Sequence, residues 1–129
     1  MKIFSVRFGR RYRRRRPSAM SKKAFQELKA VAFRVVIARI QYLNQFYGLA
    51  IGTVRIKNQT TRWGSCSKKG NLNFNYRLVH LSPELIDYLI VHELCHIGEF
   101  NHSKAFWSLV ARTIPNYVAL RQQLRSIRL

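Results

Sequence analysis

Residues 82–107, SPELIDYLIVHELCHIGEFNHSKAFW, decide how this chain is to be read. Ser82-Pro83-Glu84 is a helix start: a hydroxyl cap, proline at the first helical position, and acids Glu84 and Asp87 in the opening turn. The helix is expected to run through YLIVHELCHIGEF. His92 and His96 lie four residues apart, so their imidazoles leave one face a turn apart. That separation lets both chelate one ion at about 2.0–2.1 Å from each nitrogen. Glu93 cannot point straight at such an ion, but it stands beside it, where it can hold and deprotonate a water. Leu94 and Cys95 face elsewhere; Leu94 is expected in the core, and Cys95, like Cys66, as a small packed residue.

A site open to substrate needs a third protein ligand and a free fourth position. His102, ten positions after His92, reaches the same ion only if the helix stops and the chain turns back. Gly98 weakens the helix there, and Asn101 tolerates the left-handed conformation of a helix end. Glu99 is the rival ligand, sharing the histidine face if the helix continues. If His102 binds instead, Glu99 is a candidate for orienting an imidazole from behind. The bland alternative, polar residues on a half-exposed helix, is weakened by the apolar run before the histidines and the bend after them. Three imidazoles with an open position suit Zn²⁺, with another divalent transition metal as the alternative.

Outward from this stretch, the pattern is α+β. A long helix is expected from Ser18 or Ser21 to Gly48, its apolar face formed by Phe25, Leu28, Ala32 and Val35, then Ala38, Tyr42 and Phe46. TVRIKN alternates as a half-buried strand, TTRWGSC reads as a second, and NLNFNY as a third with Leu72, Phe74 and Tyr76 on one face. SKKG is the turn between the last two, with Gly70 free to take a positive φ. Short connections predict a small antiparallel sheet. His80 stands apart from the histidine cluster. Ser103 is expected to cap a further helix, Pro115 to end it, and YVALRQQLRSIRL to form a last basic helix.

At 129 residues the chain is read as a single domain, 21–129, behind a basic leader, 1–20. The net charge is +19, and ten of the 24 Lys and Arg lie in the first 23 residues, where there is no acid. Such a surplus predicts attraction to polyanions. Arg10, Arg11, Arg13, Arg14, Arg15 and Arg16 repel one another, so the leader is expected to be extended or disordered until it meets a partner such as nucleic acid. A solvated tail without specific function is the competing reading. Two cysteines make no disulfide framework, no run of about 18 apolar residues is present, and the N-terminus lacks the core of a secretory signal. The expected location is the cytoplasm, without membrane insertion.

RWGSCSKKGNLNFNYRL (62–78) followed by PELIDYLIVHELCHIGEFNHSKAFW (83–107) closely resembles the YgjP-like metallopeptidase domain, a zincin-like family of metal-dependent hydrolases. The chain is more distantly similar to SprT-like and WLM proteases, which act on proteins joined to DNA. The resemblance covers about residues 50–129 and, more loosely, the helix before. It implies metal ligands at His92, His96 and His102 and a catalytic base at Glu93. Members of the family usually carry an additional N-terminal region, where this chain has its Arg-rich leader. The three histidines also match metzincin spacing, but Glu99 stands where that pattern has glycine.

Three functions follow as expectations. The first is a zinc-dependent hydrolase acting on peptide or protein. If NLNFNY forms the rim of its cleft, an extended peptide would pair with that strand. Asn73, Asn75 and Arg62 would then line the cleft, against the equal alternative of a polar strand face with a structural arginine. Tyr76, Arg77 and His80 are candidate oxyanion stabilisers. The second is a nucleoside triphosphate pyrophosphohydrolase using the same site, which no Gly-rich phosphate loop supports. The third is a nucleic-acid-binding module with a structural metal, for which an open site beside Glu93 is a poor fit.

Overall fold

The computed structural model describes the backbone of residues 3–7 and residues 20–129 in full. In chain order it contains β1 (Ile3–Arg7), α1 (Lys22–Asn44), β2 (Val54–Lys57), β3 (Arg62–Ser67) and β4 (Leu72–Asn75). A 3-10 turn (Tyr76–His80) leads into α2 (Pro83–Gly98), followed by α3 (Lys104–Thr113) and α4 (Tyr117–Ser126). The architecture is α+β, as expected. β1 lies inside the stretch read as a leader, so residues 3–7 are a strand of the sheet. The six leader arginines lie outside the described residues.

The local signals act as the chemistry of caps and turns requires. The hydroxyls of Ser21, Ser82 and Ser103 accept bonds from the N–H groups of Ala24, Leu85 and Phe106. α1 closes at Gly48, whose φ of +64° lets its N–H reach the Asn44 carbonyl at 2.7 Å. Gly70, at φ +80°, makes the turn between β3 and β4.

Three expectations are corrected. The sheet order is β1-β3-β4-β2, and β2 runs parallel to β4, not antiparallel beside β3. β3 and β4 form the hairpin, so β4 has β3 on one side and leaves only its far side for β2. The Asn71 side chain fixes the start of that pairing by accepting from the Thr53 N–H at 2.9 Å. Second, the buried face of α1 holds Ala32, Val36, Ile40 and Leu43, while Ala38, Tyr42 and Phe46 are exposed. This helix is apolar on two faces, and the inward orientation also lets the Arg39 guanidinium make a two-pronged 2.8 Å bond with Asp87 of α2. Third, no non-glycine residue takes a positive φ among the described residues. α2 therefore ends without a left-handed Asn101; Glu99 turns out of the helix at φ −137°, ψ 108°.

α2 is the centre of the molecule. Leu85, Ile86 and every residue from Tyr88 to His96 are buried. The helix packs against β3 and β1 on one side and against α1, α3 and α4 elsewhere. A helix buried around its whole girth is stabilised by tertiary packing, so its polar residues His92, Glu93 and His96 sit inside the core.

Candidate active site

His92 and His96 project from consecutive turns of α2, and the loop after Gly98 carries His102 back to meet them. A side chain at Gly98 would place its Cβ 3.3 Å from Leu109 and 3.5 Å from Leu49, so glycine lets α3 close against the helix end. The Nε2 atoms converge: His96 to His102 is 3.0 Å and His102 to His92 is 3.3 Å. Tetrahedral ligands at about 2.0–2.1 Å from one ion stand about 3.3 Å apart, so this spacing is that of a ligand set. These are the only three residues among those described whose His, Cys or carboxylate atoms gather this way.

The outer ring atom of His96 fixes its tautomer. His96 Nδ1 lies 3.1 Å from the Glu99 carbonyl, which can only accept, so Nδ1 carries the proton and Nε2 offers its lone pair inward. His92 Nδ1 lies 3.3 Å from the Tyr88 hydroxyl. Glu99 therefore supports an imidazole through its backbone and not, as expected, through its carboxylate. Burial holds His92 well below the ordinary imidazole range and lowers His96 to about 4; the His102 ring is lowered too, first by burial and then by Arg121 and Arg125. All three rings are thus neutral at physiological pH, the state a metal needs.

Glu93 is fully buried, and both its carboxylate oxygens lack a hydrogen-bond partner among the described residues. Burial raises its proton affinity well above the usual carboxylate range, opposed by the positive charge of Arg62. A buried carboxylate without a hydrogen-bond partner among the described residues, carried one residue after His92 on the same helix, is poorly stabilised by the protein alone. The donor set and the orphaned carboxylate together fit a divalent cation with water.

An aromatic frame surrounds the imidazoles. Phe106 stacks on His96 at 4.3 Å and 17°, and Trp107 lies nearly parallel to His102 at 5.9 Å and 22°. Trp107 is held in turn by Tyr117 at 4.9 Å and by the Arg121 guanidinium at 5.0 Å. Tyr88 could have been found from sequence, because it stands one turn before His92. The frame from α3 and α4 carries no such periodic signal.

Gly64 of β3 faces Glu93. A Cβ there would lie 3.1 Å from Glu93 Cγ and Oε2 and from the Asn73 carbonyl. Gly64→Ala is expected to displace the carboxylate by a few tenths of an ångström and lower kcat roughly tenfold. Metal content should remain that of the wild type, which atomic absorption would check.

The other candidates are placed as follows. Arg62 is half-buried and its charge acts on Glu93. Asn73 donates to Ser65 Oγ at 3.3 Å. Asn75 is almost wholly buried, donates to the carbonyls of Gln59 and Arg62, and accepts from the Arg77 N–H. Its amide is thus spent on the scaffold, not on a cleft. Arg77 is tied to Asn58 and Gln59, and Tyr76 packs edge-on against Phe25 at 5.3 Å. Cys66 and Cys95 are buried free thiols, as expected, each pushed up to about 12 by burial.

The YgjP-like metallopeptidase domain family matches residues 9–127. This chain belongs to that family. The match reaches well before the motifs that carry the resemblance and takes in the arginine-rich stretch. The crystal structure of the metallopeptidase zymogen of Pyrococcus abyssi abylysin shares the fold, with a TM-score of 0.64 at 22% identity over 69% of this chain and 90% of that one. No protein with a curated description matches the sequence. The protein is accordingly a metal-dependent hydrolase of a metallopeptidase family. Among the described residues no helix is long and apolar enough to cross a membrane.

Proposed function

We propose that the protein is a zinc-dependent peptidase in which His92, His96 and His102 hold the metal and Glu93 is the general base. The observation that carries this is the convergence of three imidazole nitrogens, two of them on the helix that also carries a buried carboxylate with no hydrogen-bond partner among the described residues. Bound there, a divalent ion supplies Lewis acidity, polarising a peptide carbonyl and making water easier to deprotonate. Zinc suits three neutral imidazoles and an open position best.

Glu93 takes a proton from the water that attacks the carbonyl carbon. When the C–N bond breaks, it returns that proton to the leaving nitrogen. Its raised proton affinity suits both halves of this exchange near neutral pH. Tyr88 and the Glu99 carbonyl keep the rings of His92 and His96 in register. Arg62 tempers the carboxylate so that it still ionises.

The free buried cysteines agree with a reducing compartment, so we place the protein in the cytoplasm. The charge of +19 supports association of the leader arginines with nucleic acid. The test is the zinc-loaded chain on unfolded casein and on nucleoside triphosphates. Casein cleavage that stops with a chelator is expected. Release of pyrophosphate from nucleotides without casein cleavage would overturn the peptidase reading.

A further inference from the structure

An extended peptide that approaches Glu93 must find a strand edge, and the sheet leaves little choice. β4, whose asparagines were expected to form the rim, is paired on both sides. The open side of β2 lies two strands away from β3. Gly64 places the backbone of β3 directly against Glu93, so the edge that matters is the outer one of β3. That edge is held by the chain's own residues 3–7, antiparallel, with Phe4 opposite Cys66 and Ser5 opposite Ser65.

The pairing is weakest beside the site. From Ser5↔Ser65 to Arg7↔Arg62 the register shifts, so two residues, Trp63 and Gly64, stand opposite the single Val6. A bulge interrupts the ladder there. The register also sets Arg7 opposite Arg62, and like charges directly opposite each other weaken a strand pair. Meanwhile His92, Glu93 and His96 are buried, and only His102 of the site is exposed. With β1 in place, the scissile bond of a peptide has no strand to pair with next to Glu93.

We propose that the outer edge of β3 is the binding edge for an extended peptide, and that Ile3–Arg7 occupies it until displaced. This rests on the peptidase reading of the site for its purpose, although strand exchange can be measured without hydrolysis. The incoming peptide takes the antiparallel orientation of β1, exchanging one set of backbone bonds for another.

The experiment uses the full chain and a fluorescein-labelled peptide of residues 1–9, MKIFSVRFG, followed by anisotropy. Phe4→Cys puts a thiol opposite Cys66, and antiparallel partners have Cα atoms about 4.5–5.5 Å apart, within disulfide reach. Oxidation should abolish binding of the labelled peptide and slow casein cleavage at least tenfold, and a phosphine reductant should restore both. Val6→Pro removes a backbone donor from β1 and should tighten peptide binding about tenfold over wild type. Equal binding by the oxidised, reduced and Val6→Pro forms would overturn the proposal. So would casein cleavage by the oxidised form at the reduced form's rate, which would leave the peptidase reading standing. Peptide binding that follows the disulfide while no form cleaves casein would uphold the edge and remove the peptidase reading. Should Phe4→Cys fail to fold, Val6→Pro against wild type decides alone.

Discussion

Glu93→Gln is expected to lower casein hydrolysis by about 10²–10⁴-fold while zinc stays bound. The amide keeps the size of the carboxylate, so it fits against Gly64, where the space is tight. The substitution leaves His92, His96 and His102 in place, and the metal content should stay at that of wild type. What it removes is the ability to take a proton from water and return it. The same variant has a second signature in the metal-free protein. Because burial raises the folded proton affinity of Glu93 well above its unfolded value, the unfolded chain ionises first as pH rises. Stability is therefore lost between the unfolded value near 4.5 and the higher folded one, and stays lost above it. Glu93→Gln lifts that penalty, so at neutral pH the metal-free variant should melt higher than metal-free wild type. Calorimetry with chelator present measures this. An equal or lower melting temperature would mean that Glu93 is already satisfied by a partner in the fold.

The legible parts of this molecule were those with local chemistry. Ser21, Ser82, Ser103, Gly48 and Gly70 each act through bonds within a few residues of themselves, so their roles are written in short windows. The same holds for His92 and His96, where helix periodicity sets direction. What could not be read depends on contacts distant in sequence. The parallel placement of β2 beside β4 follows from which side of the hairpin is free. The inward face of α1 depends on what packs against it, including an ion pair between residues 48 apart. Asn73 and Asn75 alternate in sequence yet differ in fate, because only Asn75 lies where the chain before β3 leaves carbonyls to satisfy. Residues 3–7 look like the start of a charged tail, and they become a strand only because β3 offers an edge.

His102→Ala is expected to abolish the thermal stabilisation that zinc confers, while leaving the metal-free fold intact. His102 is the exposed member of the triad, carried on the loop between α2 and α3, whereas His96 is buried and stacked on Phe106. Truncating His96 opens a cavity and so confuses loss of metal with loss of packing. Truncating His102 removes the proposed ligand nearest the surface. A metal that binds only the folded chain stabilises it by about 4.1 kcal/mol at a thousandfold excess over Kd and about 2.7 kcal/mol at a hundredfold. For a chain of this length, roughly 3–5 °C of melting temperature accompanies each kcal/mol. Wild type should therefore gain more than about 10 °C from zinc at a thousandfold excess, and His102→Ala little or nothing. With chelator, the two proteins should melt within about 2 °C of each other, because His102 is the only one of the three rings on an exposed residue. If Glu99 were the third ligand instead, His102→Ala would keep its zinc-dependent shift and Glu99→Ala would lose it. The structure argues against that alternative: Glu99 has left the helix by the time its side chain begins, and its carbonyl already belongs to His96.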